Sequence, residues 1–209
     1  MSDLFTLFPT IIYKDALPEH EELKKKYVPE LVKSFKQHPF QKAPWATYCH
    51  TWQDHEFFVD DPNKINSLEH AITPHIHTWF RRYKFSAFEY KISYWFNVHT
   101  SDMYQETHDH MTGPVVVCGI YYLQLSKKDC PAIFVPHHRY YQLYLSSMGI
   151  AYNHEELAVN SDNVLKITEG DLILFTPDTK HLVPRAKEKH EGYRISLAFN
   201  VEVTRPSQE

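Results

Sequence analysis

The chain has 209 residues, of which 43% are hydrophobic and 15% aromatic, so it is long and apolar enough to bury one sizeable core. Its formal net charge of −4 lacks the basic excess that usually accompanies nucleic-acid or membrane-surface binding. Its three cysteines show no CxxC spacing, so neither a disulfide framework nor a thiolate zinc site is predicted. Because no stretch is long enough to span a bilayer and the start lacks signal-peptide features, we expect a cytoplasmic protein.

The first predicted elements are a strand and a helix. The stretch LFPTIIY, residues 7–13, reads as a short edge strand, because Pro9 cannot donate a hydrogen bond to a central sheet. Apolar residues then recur at helical spacing over residues 18–38. Pro29 lies inside this pattern, so we expect a kink or two shorter helices.

A second helix is predicted over residues 60–83, where isoleucine, leucine and phenylalanine recur along one side. Pro74 again predicts a kink. The helix also contains His70, His75 and His77. We interpret these as ordinary surface or half-buried helix residues rather than as metal ligands.

From about residue 88 the sequence changes to short β-branched and aromatic runs separated by polar turns. The candidate strands cover residues 88–98, 114–125, 132–135, 140–145, 164–167, 171–175 and 193–203. Seven short strands with few helical patterns between them favour a β-sandwich or jelly roll packed against the N-terminal helices. We therefore expect a single domain over 1–209, with a helical part at 1–87 and a jelly-roll part at 88–203.

The segment ETHDHMTG, residues 106–113, holds two histidines two positions apart. If the segment is extended, His108, His110 and Glu106 share one face while Asp109 points the other way. An H-x-H pair can chelate one metal from a single strand, and imidazole suits iron, zinc, copper or nickel. The alternative is two solvated histidines beside a turn, which is common in a chain with 15 histidines.

A second candidate lies in ITEGDLILFTPDTKHLVPR, residues 167–185. A turn signal precedes a buried strand at 172–175, and Pro177 ends that strand shortly before His181. A ligand at this strand end can meet two ligands from an earlier strand if the sheet closes into a barrel or roll. The alternative is that His181 is an ordinary loop histidine.

The last candidate strand, GYRISLAFNVEV, alternates apolar residues with Arg194, Ser196, Ala198 and Asn200. An arginine that faces the inside of a barrel is costly unless an anion meets it, and its planar fork matches a carboxylate. A structural salt bridge or an outward-facing Arg194 remains the alternative interpretation.

Taken in chain order, these motifs are H-x-H, G-D-x-x-x-F-x-P-x-x-x-H, and R-x-S thirteen residues after the last histidine. This order resembles the Fe(II)/2-oxoglutarate-dependent oxygenases. The stretches LFPTIIY, GIYYLQL, GDLILFTPDTKHLVPR and RISLAFN are similar to an uncharacterised oxygenase group of that superfamily found in bacteria and phages. The similarity extends over most of the chain and is strongest from His108 to Asn200.

The resemblance implies a mainly β fold, a double-stranded β-helix or cupin-like jelly roll, with N-terminal helices packed on it. It also implies that His108 and His181 bind Fe(II), and that Arg194, aided by Ser196, holds the distal carboxylate of the cosubstrate 2-oxoglutarate. Weaker candidates for lining the pocket or holding the cosubstrate are Tyr94, Asn97 and Tyr121. The implied reaction uses O2, hydroxylates a prime substrate and releases succinate and CO2.

The chain departs from the resemblance at one position, because the usual first motif is H-x-D and His110 stands in place of the aspartate. Three interpretations stay open: iron held by three histidines, a carboxylate supplied by Glu106 or Asp109, or a site that has lost its activity. We favour His108, His110 and His181 as the ligands.

Other classes of protein also fit parts of the pattern. A cupin-type dioxygenase or isomerase would need a glutamate soon after H-x-H and a P-x-G before the last histidine, and residues 111–114 and 177–179 supply neither. A non-catalytic jelly-roll binding module and a three-histidine zinc hydrolase are the remaining alternatives. The prime substrate stays open among a protein side chain, a nucleotide and a small metabolite, and a homodimer is compatible with this kind of fold.

Overall fold

The computed structural model describes residues 10–37, 48–49, 62–86, 88–135, 147–148 and 165–206. In chain order its elements are β1 Ile12–Ala16, α1 His20–Gln37, β2 Tyr48–Cys49, α2 Pro62–Tyr83, β3 Phe88–His99, β4 Gln105–His108, β5 Val115–Gln124, β6 Ile133–Phe134, β7 Asp171–Phe175, β8 His181–Val183 and β9 Arg194–Pro206. Every strand pairs antiparallel with its neighbours.

The strands form two sheets of unequal size. The major sheet has six strands in the order β1-β7-β5-β9-β3-β2, and the minor sheet has three in the order β4-β8-β6. These sheets confirm the predicted mainly β class. Strands that follow one another in the sequence are mostly not neighbours in a sheet, so the fold is not a simple meander.

Both helices pack on the outer face of the major sheet and share one apolar core with it. The buried helix residues are Leu23, Tyr27 and Leu31 of α1, and Leu68, Ala71, Ile72, Ile76 and Trp79 of α2. These positions recur every three or four residues, as the helical spacing predicts. Each helix continues through its internal proline, so neither Pro29 nor Pro74 splits its helix in two. Neither helix combines the length and apolarity that crossing a bilayer requires.

The two faces of β9 pack against different parts of the molecule. Ile195, Leu197, Phe199 and Val201 are fully or almost fully buried against the helix side. The alternate residues point away from the helices, toward the minor sheet, because successive side chains of a strand point to opposite faces. A second apolar cluster lies on that side. Its buried members are Cys118, Ile120, Tyr122, Ala132, Phe134, Ile173 and Phe175.

The remaining strand predictions have mixed outcomes. The strand predicted over 164–167 is wrong in its described part, since Leu165 is helical and Lys166 has a φ of 35°, which an extended strand does not adopt. The strand predicted over 140–145 lies outside the described residues, as do residues 7–9 of the first one. The first strand is found slightly later than expected, at β1.

Candidate active site

Three histidines converge between the two sheets. His108 ends β4 and His181 begins β8, and the two residues are direct partners across that antiparallel pair. His110 follows two residues after β4. One candidate ligand nitrogen from each of the three lies within 4.8 Å of the others. The ring centroids are 4.2 Å apart for His108 and His181, and 5.3 Å apart for each pair that includes His110.

The sequence pattern suggested that strand alternation places His110 beside His108, but the structure positions His110 in a different way. Strand β4 ends at His108, and its pairing with β8 is irregular between Gln105 and His108. Instead, the backbone N–H of His110 donates to the Pro177 carbonyl at 2.8 Å. This hydrogen bond holds the turn after β4 against the segment that leads into β8.

Each of the three imidazoles has its Nδ1 atom engaged by an oxygen acceptor. Nδ1 of His108 lies 2.9 Å from the Glu106 carbonyl, that of His181 lies 3.1 Å from the Thr179 carbonyl, and that of His110 lies 2.8 Å from Asn200 Oδ1. Because an oxygen of this kind accepts, Nδ1 carries the proton in all three rings. The lone pair therefore lies on Nε2, which is the usual arrangement of a metal-binding histidine.

Burial favours the neutral, metal-binding form of His110 and His181 by lowering the pKa of each ring. Burial, followed by the neighbouring His108, lowers the pKa of His181 to about 3. The same two causes lower the pKa of His110. Aromatic rings enclose the pair: Trp95 stacks on His110 at a centroid distance of 6.1 Å, and Phe175 meets His181 edge-on at 4.9 Å.

The two acidic neighbours do not join this cluster. The side chains of Glu106 and Asp109 are both exposed, and Asp109 Oδ1 accepts a hydrogen bond from the Met111 backbone at 3.2 Å. Within the described part of the chain, the three histidines are the one group of three or more side chains that could hold a metal ion.

Arg194 lies in the same pocket as the histidines and is only 5% exposed. Its Nη1 donates to the Cys130 carbonyl at 2.7 Å, while its Nη2 is buried without a hydrogen-bond partner among the described residues. Burial lowers the pKa of its guanidinium to about 9, so the group stays cationic near neutral pH. A buried cation with an unused N–H donor suits an anionic ligand, and the planar fork matches a carboxylate.

The pocket and the open solvent at its mouth together hold about 490 Å³ of space that no protein atom fills. The predicted site residues that line it are Asn97, His108, His110, His181, Arg194 and Ser196. Asn97 and Ser196 are cross-strand partners of β3 and β9, and His99 pairs with Arg194 two positions along. The major sheet thus supplies the polar wall around the arginine.

Tyr94 and Tyr121 are placed on the other face of the major sheet, against the helices. Tyr121 is fully buried with its hydroxyl 2.8 Å from His20 Nδ1, and the Tyr94 hydroxyl donates to Glu69 at 3.5 Å. The reason is the two-residue period of a strand: Asn97 faces the pocket, so Tyr94, three residues earlier, faces away.

Several pocket residues were not among the predictions. Trp95, Gln105 and Tyr122 line the pocket, and Asn200 supports it from outside the lining as the acceptor for His110. Asn200 had a usable signal, because it falls on the same face of the final strand as Arg194 and Ser196. Tyr122 is the cross-strand partner of Ser196 on β5 and β9, so it faces the pocket as well.

Comparison of the chain with known proteins agrees with this geometry. A family model described as "Putative 2OG-Fe(II) oxygenase" matches residues 93–200, which include all three histidines and the arginine. None of the curated proteins matches the chain.

Solved structures show the same fold at low sequence identity. One is a Pseudomonas putida prolyl-4-hydroxylase, with a TM-score of 0.50, 12% identity, and coverage of 95% of this chain and 94% of that one. A second is AviO1 from Streptomyces viridochromogenes Tue57, with a TM-score of 0.54, 9% identity, and coverage of 96% and 94%. A third is HygX from Streptomyces hygroscopicus with nickel and 2-oxoglutarate bound, with a TM-score of 0.50, 12% identity, and coverage of 93% and 83%.

The family match extends over more than half of the chain, and the similar solved structures have the same overall fold. The cofactors of the family are Fe(II), 2-oxoglutarate and O2. The chain belongs to the 2OG-Fe(II) oxygenase family, and it is an Fe(II)- and 2-oxoglutarate-dependent oxygenase.

Proposed function

We propose that His108, His110 and His181 hold the iron of this oxygenase, that Arg194 with Ser196 binds the distal carboxylate of 2-oxoglutarate, and that the enzyme hydroxylates its prime substrate. One observation carries the proposal. A single pocket contains three imidazoles whose Nε2 atoms carry the lone pair, that of His108 accepting a weak hydrogen bond from Gln105 Nε2 at 3.4 Å, and a buried guanidinium with an unused N–H.

The donor set fits iron. His110 Nε2 is buried without a hydrogen-bond partner among the described residues, an arrangement that costs about 1–3 kcal/mol unless a ligand satisfies it. Three imidazole ligands would leave positions on the ion open for further ligands, as oxygenase chemistry needs. Imidazole is a good ligand for Fe(II), and the hydrogen bonds at each Nδ1 fix the rings in position.

When bound, the iron and 2-oxoglutarate supply the O2-dependent oxidation of the prime substrate, with release of succinate and CO2. The protein provides the geometry. The three imidazoles fix one end of the pocket, and Arg194 orients the cosubstrate from the major sheet. Trp95 and Phe175 pack against the histidines and limit the access of water.

The first experiment is an anaerobic titration of the metal-free protein with Fe(II) and then with 2-oxoglutarate. We expect a visible charge-transfer band, because the keto acid chelates iron through its carboxylate and its oxo group. Metal binding without that band would contradict the cosubstrate assignment and favour a cupin-type or zinc site. No binding of Fe(II) at all would contradict the three-histidine proposal.

A second prediction tests His110 as a ligand through its partner Asn200. Asn200→Leu removes the acceptor for Nδ1–H, which frees the ring to rotate and to change tautomer. We expect Fe(II) affinity to fall about 10–100-fold, as is typical when an outer partner of a metal ligand is lost. The measurement is competition with a chelator for Fe(II) under anaerobic conditions.

The matched control is Asn200→Asp, which keeps an oxygen acceptor and adds a negative charge, so it should bind Fe(II) at least as tightly. If Asn200→Leu leaves the affinity unchanged, His110 is not a ligand. Glu106→Gln and Asp109→Asn should both keep the affinity of the unchanged protein, and a large loss in either would assign the third ligand to that carboxylate.

Membership of the family implies that the chain uses a small-molecule cosubstrate. A cytoplasmic location, the lack of a nucleic-acid partner and a homodimer stay predictions from the sequence. So does the hydroxylation of a still unidentified substrate.

A further inference from the structure

Two segments of the chain come together next to Arg194. One is the turn of residues 126–130, which follows β5, and the other is the loop of residues 184–193, which leads into β9. The Cys130 carbonyl of the turn is the hydrogen-bond acceptor for Arg194 Nη1. The orientation of the guanidinium therefore depends on how firmly the turn and the loop are held together.

A buried pair of side chains joins these two segments. His190 Nε2 lies 2.8 Å from Asp129 Oδ1, and the two side chains are only 10% and 4% exposed. The other carboxylate oxygen of Asp129 accepts the Ser126 backbone N–H at 2.9 Å. The Gly192 backbone N–H donates to His190 Nδ1 at 3.0 Å, so the ring proton lies on Nε2 and is donated to Asp129.

The position of this pair in the sequence links it to the arginine. Asp129 is adjacent to Cys130, and His190 is four residues before Arg194. The contact thus sets the separation between the carbonyl and the strand that carries the guanidinium. The backbone N–H of Lys187 also donates to the Lys128 carbonyl at 2.7 Å, so the junction is fixed on both sides of the pair.

Arg194 needs such support because few hydrogen bonds to the described residues hold its guanidinium. The Cys130 carbonyl engages one end of the fork, while Nη2 has no hydrogen-bond partner among the described residues. A planar fork recognises a carboxylate only in one orientation, and a displacement of about 1 Å can cost about 100-fold in a positioned reaction. Loss of the carbonyl would leave the side chain to settle in another rotamer.

We propose that Asp129 and His190 are positioning residues for cosubstrate binding: their buried contact aims Arg194 Nη2 into the pocket and so sets the affinity for the distal carboxylate of 2-oxoglutarate. The inference rests on the proposed role of Arg194. Neither residue lines the pocket, so both act through the Cys130 carbonyl and the arginine.

The test compares two keto acids on the full chain loaded with Ni(II) under anaerobic conditions, by isothermal titration calorimetry. 2-Oxoglutarate carries the distal carboxylate, and 2-oxobutyrate lacks it. For His190→Leu we expect the Kd of 2-oxoglutarate to rise about tenfold, a typical loss for an outer partner of a binding residue. The weaker affinity for 2-oxobutyrate should not change, and neither should Ni(II) binding.

Two further variants separate positioning from general stability. His190→Gln keeps an N–H within reach of Asp129 and should recover most of the affinity. His75→Leu is the matched control, because His75 is also mostly buried and lies 3.4 Å from an aspartate, Asp15, but on the helix side of the protein. It should lower the thermal midpoint without changing the Kd of 2-oxoglutarate. If His190→Leu does not fold, Asp129→Asn should show a smaller loss with the same selectivity.

The outcomes are distinguishable. Equal losses for both keto acids, or no loss for either, would overturn the positioning role of the pair while leaving the role of Arg194 intact. If the unchanged protein itself shows no preference for 2-oxoglutarate over 2-oxobutyrate, the assignment of Arg194 fails, and this inference fails with it.

Discussion

His181→Ala is expected to abolish Fe(II) binding. His181 is the most buried of the three histidines, and it is the direct partner of His108 across β4 and β8. Its removal leaves two imidazoles and an apolar gap beside Phe175, which supplies no replacement ligand. We expect the affinity to fall by more than about 100-fold, beyond what the loss of an outer partner costs. Equilibrium dialysis with metal analysis measures it.

An exposed histidine provides the control for that experiment. His70 lies on the surface of α2, away from the pocket, so His70→Ala should bind Fe(II) as the unchanged protein does. Circular dichroism of the metal-free forms checks that His181→Ala keeps its fold. Full Fe(II) binding by a folded His181→Ala protein would contradict the three-histidine assignment.

Arg194→Met is expected to leave Fe(II) binding intact and to weaken 2-oxoglutarate binding by about 100-fold. The loss of a buried, hydrogen-bonded charge pair typically costs about 2–5 kcal/mol, and each 1.4 kcal/mol is a factor of about ten. Methionine replaces the aliphatic part of the side chain, so the pocket wall is largely kept. The measurement is the charge-transfer titration, with Fe(II) affinity determined separately.

The same variant is expected to weaken 2-oxoglutarate binding without lowering the thermal stability of the ligand-free protein. In the free protein, Arg194 is a buried cation whose hydrogen bond among the described residues goes to the neutral Cys130 carbonyl. Because a buried charge without an ionic partner is destabilising, Arg194→Met should unfold at the same temperature or higher when no ligand is present. A clearly lower midpoint, or equal losses of Fe(II) and 2-oxoglutarate binding, would show that the arginine is structural. Arg194→Lys keeps the charge but not the fork, and it should recover only part of the affinity.

The elements with helical apolar spacing or an uninterrupted apolar run were predictable from the sequence. The strand predicted over residues 171–175 is β7, and the helical spacing over 18–38 corresponds to α1. The short strands β4 and β8, with four and three residues, were not assigned as strands, because so few residues display no period. Their existence depends on pairing with each other and with β6, which is a property of the folded chain.

The candidate site was also predictable only in part, because some of its contacts join residues that are far apart in the sequence. The types and order of the residues indicated a metal and an anion site, and the alternation of β9 correctly grouped Ser196 with Arg194. The acceptors for the histidine Nδ1 atoms could not be predicted, because two are backbone carbonyls and the third, Asn200, is 90 residues from His110. For Tyr94 the phase of alternation along β3 decided the face, and it was fixed only when Asn97 was known to face the pocket. For Tyr121 the phase of β5 decided it, because the next residue, Tyr122, lines the pocket.

The division of the proposed ligands between the two sheets has a mechanical consequence. His108 and His181 belong to the minor sheet, whereas Arg194 and Ser196 belong to the major sheet. A cosubstrate chelated at one end and held by the arginine at the other would cross-link the layers noncovalently. Since a ligand that binds only the native state stabilises it, loading the enzyme would resist separation of the sheets. Release of succinate, which lacks the chelating oxo group, would loosen that link once in every turnover.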